Sequence, residues 1–418
     1  VLTKAFDHRS AEEDAMYGHV ARQPIFDKNL NIFGYELLFR DGALTFPAGV
    51  SGDTATSELL SSTFLTSDIY TYTGIKKAFV NFTRNHLVNR IPLLFPREIT
   101  VVEILEDVSP EEEVVAACRE IAQKGFTIAL DDFVYRAELK PLIALAEIVK
   151  IDFRNTSTER ISAYFNLLNR DKKRMLAEKV ETYEEFKRGR DMGFQYFQGY
   201  FFARPEVIQG RTLSTPEIHL LRLMAAVHGR ELNFDQIEEH IKRDVTVSYK
   251  LLRYINSAYF RRLQEITAIK QAILLLGEVG IRRFVSLMAM AKLAKGKPQE
   301  LAALSAVRAR FCELLGSRAG LSDTAGELFT VGLFSLIDAI MDDSMENILQ
   351  KLPFSQSIKE ALLRQIGPLG EVLNLAVAYE RGGWHELSAL CAQVGIPEGD
   401  LPPLYRETLE WAQAMDAP

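Results

Sequence analysis

At 418 residues the chain is long enough for two domains, or for one barrel with a smaller companion. An apolar fraction of 47% and a charged fraction of 25% are ordinary for soluble globular protein, and a net charge of −7 with interspersed signs argues against a dedicated nucleic-acid surface. Three scattered cysteines, Cys118, Cys312 and Cys391, are too few for a disulfide framework or a zinc site, which points to a reducing cytoplasm.

In chain order, the first 17 residues are polar and lack the apolar core of a signal peptide, so they read as a tail and not as a secretion signal. No apolar run reaches the roughly 18 residues that would span a bilayer, so no membrane segment is expected. From residue 18 to 205, strand-like runs alternate with helical patterns. The helical stretch 114–124, for example, lies between strand-like runs at 100–105 and 126–130. Such βα alternation predicts a parallel sheet with crossover helices, here a TIM-type (β/α)8 barrel with tight loops.

Six of the strand-like runs stop at an acid or amide: Glu36, Asn81, Glu103, Asp131-Asp132, Asp152 and Glu178. Parallel barrel strands aim their C-terminal ends at one face, so these oxygen donors would converge there, with Lys150 among them. Hard divalent cations and a phosphate ester suit such a set. After Pro205 the strand signals stop. Ile218, Leu221, Met224 and Ala225 recur at helical spacing, as do Leu251, Leu252 and Ile255, then Ala272, Ile273 and Leu276. The expected organisation is a barrel at 18–205, a linker at 206–212 with Gly210 in it, a helical domain at 213–411 and a tail at 412–418.

Taken singly, these residues leave alternatives open. Asp131-Asp132 could bridge two cations, or it could cap the next helix. Glu103 and Glu106 could be ligands or solvated strand-end acids. Lys150 and Asp152, two apart, share one strand face and could form an ion pair at the rim instead of binding a ligand. Glu178 and Glu181 could line a site or a solvated loop. Gln198-Gly199-Tyr200 closes the series, with Gly199 permitting close approach of a ligand.

Together, in this order, the motifs resemble the EAL domains that bind and hydrolyse cyclic di-GMP. Arg22-Gln23-Pro24-Ile25 is similar to the opening Tyr-Gln-Pro-Ile, and Glu36-Leu37-Leu38-Phe39-Arg40 to the signature Glu-Ala-Leu-Leu-Arg. Val80-Asn81, Glu103-Ile104-Leu105-Glu106, Asp131-Asp132-Phe133, Lys150-Ile151-Asp152, Glu178-Lys179-Val180-Glu181-Thr182 and Gln198-Gly199-Tyr200 follow in order. The resemblance implies two Mg²⁺ or Mn²⁺ ions: one on Glu36, Asn81, Glu103 and Asp131, the other on Asp131, Asp132 and Glu178. It implies that Lys150 and Gln198 position the attacking water with Glu178 beside them. Gln23, Arg40, Asp152 and Glu181 would contact the substrate, Arg40 being suited to phosphate, and Glu106 would support the loop after Phe133.

That loop departs from the family. Where relatives run Gly-Thr-Gly-Tyr-Ser-Ser-Leu, this chain has Val134-Tyr135-Arg136-Ala137-Glu138-Leu139, without the glycines that permit positive φ. Arg136 is a candidate partner for Glu106. Lys179 replaces a glycine and adds a cation beside the site.

The second half resembles HDOD domains, helical relatives of HD hydrolases, through Asp244-Val245-Thr246-Val247-Ser248-Tyr249 with the run up to Tyr259, and through Ile266-Thr267-Ala268-Ile269-Lys270-Gln271-Ala272-Ile273. Gly332-Leu333-Phe334-Ser335-Leu336-Ile337 stands where HD relatives carry Gly-Leu-Leu-His-Asp-Ile, and Ser335 and Leu336 cannot supply a His-Asp metal pair. Asn256-Ser257 is expected to end a helix by side-chain hydrogen bonding.

An EAL domain followed by HDOD resembles the YuxH-like bacterial signalling proteins. The expectation is therefore a cytoplasmic protein that hydrolyses cyclic di-GMP to linear pGpG slowly or conditionally, with the HDOD half as regulatory or output module. The alternative is a catalytically inactive receptor or scaffold acting through protein contacts. A protein partner is expected on the HDOD half. A homodimer is left open, and neither a membrane nor a nucleic-acid polymer is expected as a partner.

Overall fold

The computed structural model describes residues 19–40, 69–205 and 220–416, apart from 222–223, 225–226, 229–231, 233, 243–244 and 257–265. The expected tail at 1–17 and linker at 206–212 lie outside the described residues, as do Ile218, Ala225 and Ser257. The chain divides into two compact units. The first is Val1–Phe202 with Tyr379–His385 and Gly399–Pro403, and the second is Ala203–Ala378 with Glu386–Glu398 and Leu404–Pro418.

In the first unit eight strands close a barrel in sequence order: β1 Val20–Asp27, β2 Ile32–Phe39, β3 Lys77–Phe82, β4 Thr100–Ile104, β5 Thr127–Leu130, β6 Ile148–Asp152, β7 Arg174–Glu178 and β8 Tyr196–Gln198. From β2 to β8 all neighbours pair parallel, but β1 runs antiparallel to both β2 and β8. The barrel is thus not wholly parallel. Only four residues join β1 to β2, and so short a connection can make only a hairpin. Asp27 braces it by accepting the backbone N–H of Asn29 at 2.8 Å and of Asn31 at 2.9 Å.

The crossover helices follow their sequence patterns. Glu112–Gln123 starts with two acids, which suit the positive end of a helix, and buries Val114, Val115, Ala117, Cys118 and Ile121 along one stripe. It stops at Lys124, before Gly125 takes φ 91°, a left-handed conformation that closes helices at little cost for glycine. Each large apolar side chain buried this way contributes about 1.5–3 kcal/mol. The segment Tyr379–His385 belongs to the same unit, where Tyr379 and Trp384 set their rings 5.9 and 6.0 Å from that of His19.

Inside the barrel, Ile25, Phe79, Val101, Ala129, Ile148, Leu176 and Tyr196 form one apolar cluster. Strand side chains alternate faces, so the residue two positions further toward the mouth also points inward. Those residues are Asn81, Glu103, Asp131, Lys150, Glu178 and Gln198, and, on the reversed β1, Gln23. An apolar floor and a polar mouth therefore follow from one period-two pattern repeated around the barrel.

The second unit is helical among its described residues. Its core includes Val227, Ile237, Ile241, Leu251, Ile255, Ile273, Ile281 and Phe284. The helix Ile269–Leu293 is broken at Gly277, whose φ of 64° and ψ of −172° are not helical. Asn256, just past the helix Val245–Ile255, exchanges two 2.8 Å hydrogen bonds with the backbone of Ile266. The side chain does not cap the helix as its residue type suggests. The backbone N–H of Asn256 makes the last helical bond, to Leu252 at 3.1 Å, and the amide is spent on tying down a point ten residues on. The last helix, Leu401–Asp416, continues through most of the stretch expected as a tail. No helix among the described residues is long and apolar enough to cross a membrane.

Candidate functional site

At the polar mouth Lys150 is the hub. Its ammonium lies 2.7 Å from Glu103, 2.7 Å from Asp131, 2.8 Å from Glu178 and 3.3 Å from Glu36. Lys150 and Glu103 are fully buried, and Glu36 and Glu178 nearly so. Four carboxylates around one ammonium leave an excess of negative charge in a site shielded from water. Burial pushes Glu103 well above the ordinary carboxylate range against the pull of Lys150, and Glu178 is pushed up to about 8 for the same reason. Burial also disfavours the charge on Lys150, but Asp131, Glu103, Glu178 and Glu36 outweigh it and hold the ammonium protonated.

Around this hub runs a chain of amides. Asn81 donates to Glu36 at 2.9 Å, and Gln198 donates to Glu36 at 2.6 Å and to Gln23 at 3.1 Å. Gln23 in turn donates to the carbonyl of Arg381 at 3.3 Å, and the Arg381 guanidinium lies 4.8 Å over the Tyr200 ring. Arg381 has no place in the sequence motifs. It follows Gln23 by 358 positions, and only the fold brings the two together.

A divalent cation fits this donor set. Glu103 Oε2, Glu178 Oε2, Asn81 Oδ1 and Gln198 Oε1 are buried with no hydrogen-bond donor. Buried acceptors without partners are costly, and oxygen is the donor that Mg²⁺ and Mn²⁺ prefer. Among the described residues, no three acid, histidine or cysteine side chains are already drawn together as a metal-binding group. The ammonium of Lys150 stands at ion-pair distance from all four acids instead, so an entering cation competes with it.

The remaining motif residues divide. Asp132 does not join Asp131 at the hub. Both its carboxylate oxygens lie 3.1 Å from the Lys179 ammonium. Neither aspartate caps the following helical turn, Ala137–Leu139, whose N-cap is Arg136 with no side-chain cap. Asp152 shares its strand face with Lys150, but its carboxylate turns the chain after β6 by accepting the N–H groups of Arg154 and Asn155 at 2.7 and 2.8 Å. It also takes the Lys179 ammonium at 2.7 Å.

Glu181 pairs with Arg154 at 3.0 Å near the surface, just before the capping box of Thr182 and Glu185 that starts the helix Tyr183–Met192. Arg40 lies past the end of β2, where burial of the His19 ring, helped by the Arg40 charge, holds His19 down to about 4. Arg136 meets Glu106 at the backbone carbonyl, 3.0 Å away, and not at the carboxylate. Residues 133–139 all keep negative φ. In this turn Asp132 carries the positive φ, at 37°. Beneath it lies a cavity of about 300 Å³ lined by Ile104, Glu106, Asp131, Phe133, Arg136 and Leu142, among others.

Comparison with known proteins places this geometry. The EAL domain model matches residues 81–205 and the HDOD domain model residues 213–366. The chain is 36% identical over 408 residues, 97% of its own length and 94% of the relative's, to the cyclic di-GMP phosphodiesterase CdgJ of Vibrio cholerae. This chain belongs to the EAL–HDOD family. It is also 34% identical to the uncharacterized protein YuxH of Bacillus subtilis, over 95% of this chain and 99% of that one. Among solved structures, an EAL domain protein from Listeria monocytogenes EGD-e is 24% identical with a TM-score of 0.36, covering 47% of this chain and 94% of that one. In this EAL–HDOD protein the EAL match begins at Asn81, so β1 and β2, with Gln23 and Glu36, stand outside it. Only the closed barrel puts those two residues beside the rest of the site.

Proposed function

We propose that the barrel mouth binds cyclic di-GMP and hydrolyses one of its phosphodiester bonds to give linear pGpG, using Mg²⁺ or Mn²⁺. The observation that carries this reading is the ring of Glu36, Asn81, Glu103, Asp131 and Glu178, three of them buried and two half-buried, in which oxygens of Asn81, Glu103 and Glu178 have no hydrogen-bond donor. The full-length relationship to a protein named as a cyclic di-GMP phosphodiesterase supports it.

Glu36, Asn81, Glu103 and Asp131 would hold the cation, with Glu178 beside them. A bound divalent cation supplies charge neutralisation for the phosphate and lowers the pKa of a water. Glu178, beside the cation and 2.8 Å from Lys150, would accept the proton of the water at its carboxylate. Lys150, whose ammonium the surrounding acids keep protonated, would offset the negative charge that grows on the phosphate oxygens. Gln198 and Gln23, hydrogen-bonded to each other, would orient the ligand from the opposite wall. The HDOD half is read as the regulatory or protein-binding module, because Ser335 stands in the HD position and spends its hydroxyl on Gly332 and Arg308 at 2.7 and 2.8 Å.

A second reading, ligand binding with little turnover, is favoured by the ion pairs that hold Asp132 away from Asp131. Incubation of the full chain with cyclic di-GMP and Mn²⁺ separates the two. Appearance of pGpG, lost by about 100-fold or more in Glu36→Ala, is the expected result. Tight calorimetric binding without product would establish the receptor reading, and neither product nor binding would overturn both.

A further inference from the structure

Lys179 is the residue that the EAL pattern least prepares for. It follows Glu178 at the end of β7, and its ammonium lies 3.1 Å from each oxygen of Asp132 and 2.7 Å from Asp152. The two acids of the Asp131-Asp132 pair are therefore answered by two different lysines, Asp131 by Lys150 and Asp132 by Lys179. Burial works against the Lys179 charge, but its bonds to Asp152 and Asp132 outweigh it and keep the ammonium protonated.

The backbone is committed to this arrangement. Lys179 takes φ 54° and Asp132 φ 37°, left-handed values that residues with a side chain adopt only where the surroundings impose them. Here they are imposed. Phe153 N–H donates to the Glu178 carbonyl at 3.0 Å, and Val180 N–H donates to the Gln198 carbonyl at 3.0 Å, so the peptide units on both sides of Lys179 are tied to neighbouring strands. Gly199 lies so close that a Cβ there would fall 2.1 Å from the Val180 carbonyl oxygen. With its backbone held on both sides, Lys179 reaches across to both oxygens of Asp132.

A lysine ammonium on both oxygens of Asp132 does what a bound cation would do there. It neutralises the carboxylate, and it repels a dication from the same place. We propose that Lys179 is a tethered replacement for a second divalent ion, so that the barrel mouth takes a single Mg²⁺ or Mn²⁺ centred on Glu36, Asn81, Glu103 and Asp131. This rests on reading the mouth as a divalent-cation site. With one ion, a phosphodiester would have its charge offset by the metal and by the ion-paired Lys179 ammonium. The ammonium cannot acidify a water, so binding is retained while hydrolysis is slowed.

The test is the stoichiometry of Mn²⁺ on chelator-stripped full-length protein, read by equilibrium dialysis and electron paramagnetic resonance. Wild type is expected to bind about one Mn²⁺ per chain with the spectrum of an isolated ion. Lys179→Gly, which removes the charge and the strained side chain, and Lys179→Met, which removes the charge alone, are expected to bind about two with a spin-coupled signal. If the glycine variant fails to fold, the methionine variant carries the comparison. Two ions on wild type, or one ion on both wild type and Lys179→Met, would overturn the role of Lys179 while leaving the cation site standing. No ion on any of the proteins would overturn the cation site itself and this inference with it.

Discussion

Both units of this protein bury charge, but they treat it in opposite ways. In the helical unit each carboxylate oxygen of Glu313 has its own arginine: Arg283 on one, Arg310 at 2.8 Å on the other. Arg310 also reaches Glu407 at 2.7 Å. At the barrel mouth Glu103 is just as buried, yet its Oε2 has no donor, and four acids share one ammonium. A buried charge whose partners are complete holds a fold together. One left short of positive charge is costly to the fold, and such a group points to a ligand.

Substitution can break this comparison. Arg310→Met leaves Glu407 without its arginine and Glu313 with only Arg283, and should destabilise the chain by about 3 kcal/mol in urea unfolding. A loss below about 1 kcal/mol would mean that the helical network is a surface ornament and the contrast is false. Glu103→Gln should do the reverse. It removes a buried carboxyl that burial makes costly to ionise while three acids still face Lys150, so the metal-free protein should gain about 1 kcal/mol in thermal unfolding. Its Mn²⁺ affinity should fall at least about tenfold. Destabilisation by Glu103→Gln would mark that carboxylate as a structural partner of Lys150.

The last test concerns one histidine in each unit, His19 buried and His228 half-buried. Burial holds His19 and His228 at about 4, with Arg40 and Arg282 respectively adding to the shift. His19 packs against Tyr379 and Trp384, and His228 shares a hydrogen bond with Ser286 at 2.9 Å and packs on Phe334 and Phe354. Both folded values lie below the unfolded one of 6.5. Their stability is therefore complete above pH 6.5 and lost as pH falls from 6.5 through about 4. The melting temperature should decline by a few degrees over that window, and His19→Gln or His228→Gln should each flatten part of the slope. An unchanged slope in both variants would assign the acid sensitivity to the carboxylates.

The acids at strand ends were legible because strand periodicity and barrel geometry act on short stretches of chain. Phe79 and Asn81, Val101 and Glu103, and Ile148 and Lys150 each repeat the same apolar-then-polar step, and the sequence alone determined that these polar groups share the inner face. The hub on Lys150 needed more. Four carboxylates from β2, β4, the turn after β5 and the end of β7 meet one ammonium only after the barrel closes.

Other features were decided by tertiary structure alone. β1 runs backwards because its connection to β2 is short, and that reversal brings Gln23 beside Gln198. Asp131 and Asp132, adjacent in sequence, part company because Asp132 turns to positive φ and finds Lys179, 47 positions away. Arg381 meets Gln23 across most of the chain's length. Local sequence sets side-chain type and strand face. Which charge answers which depends on distances between remote segments, and only the folded chain sets those.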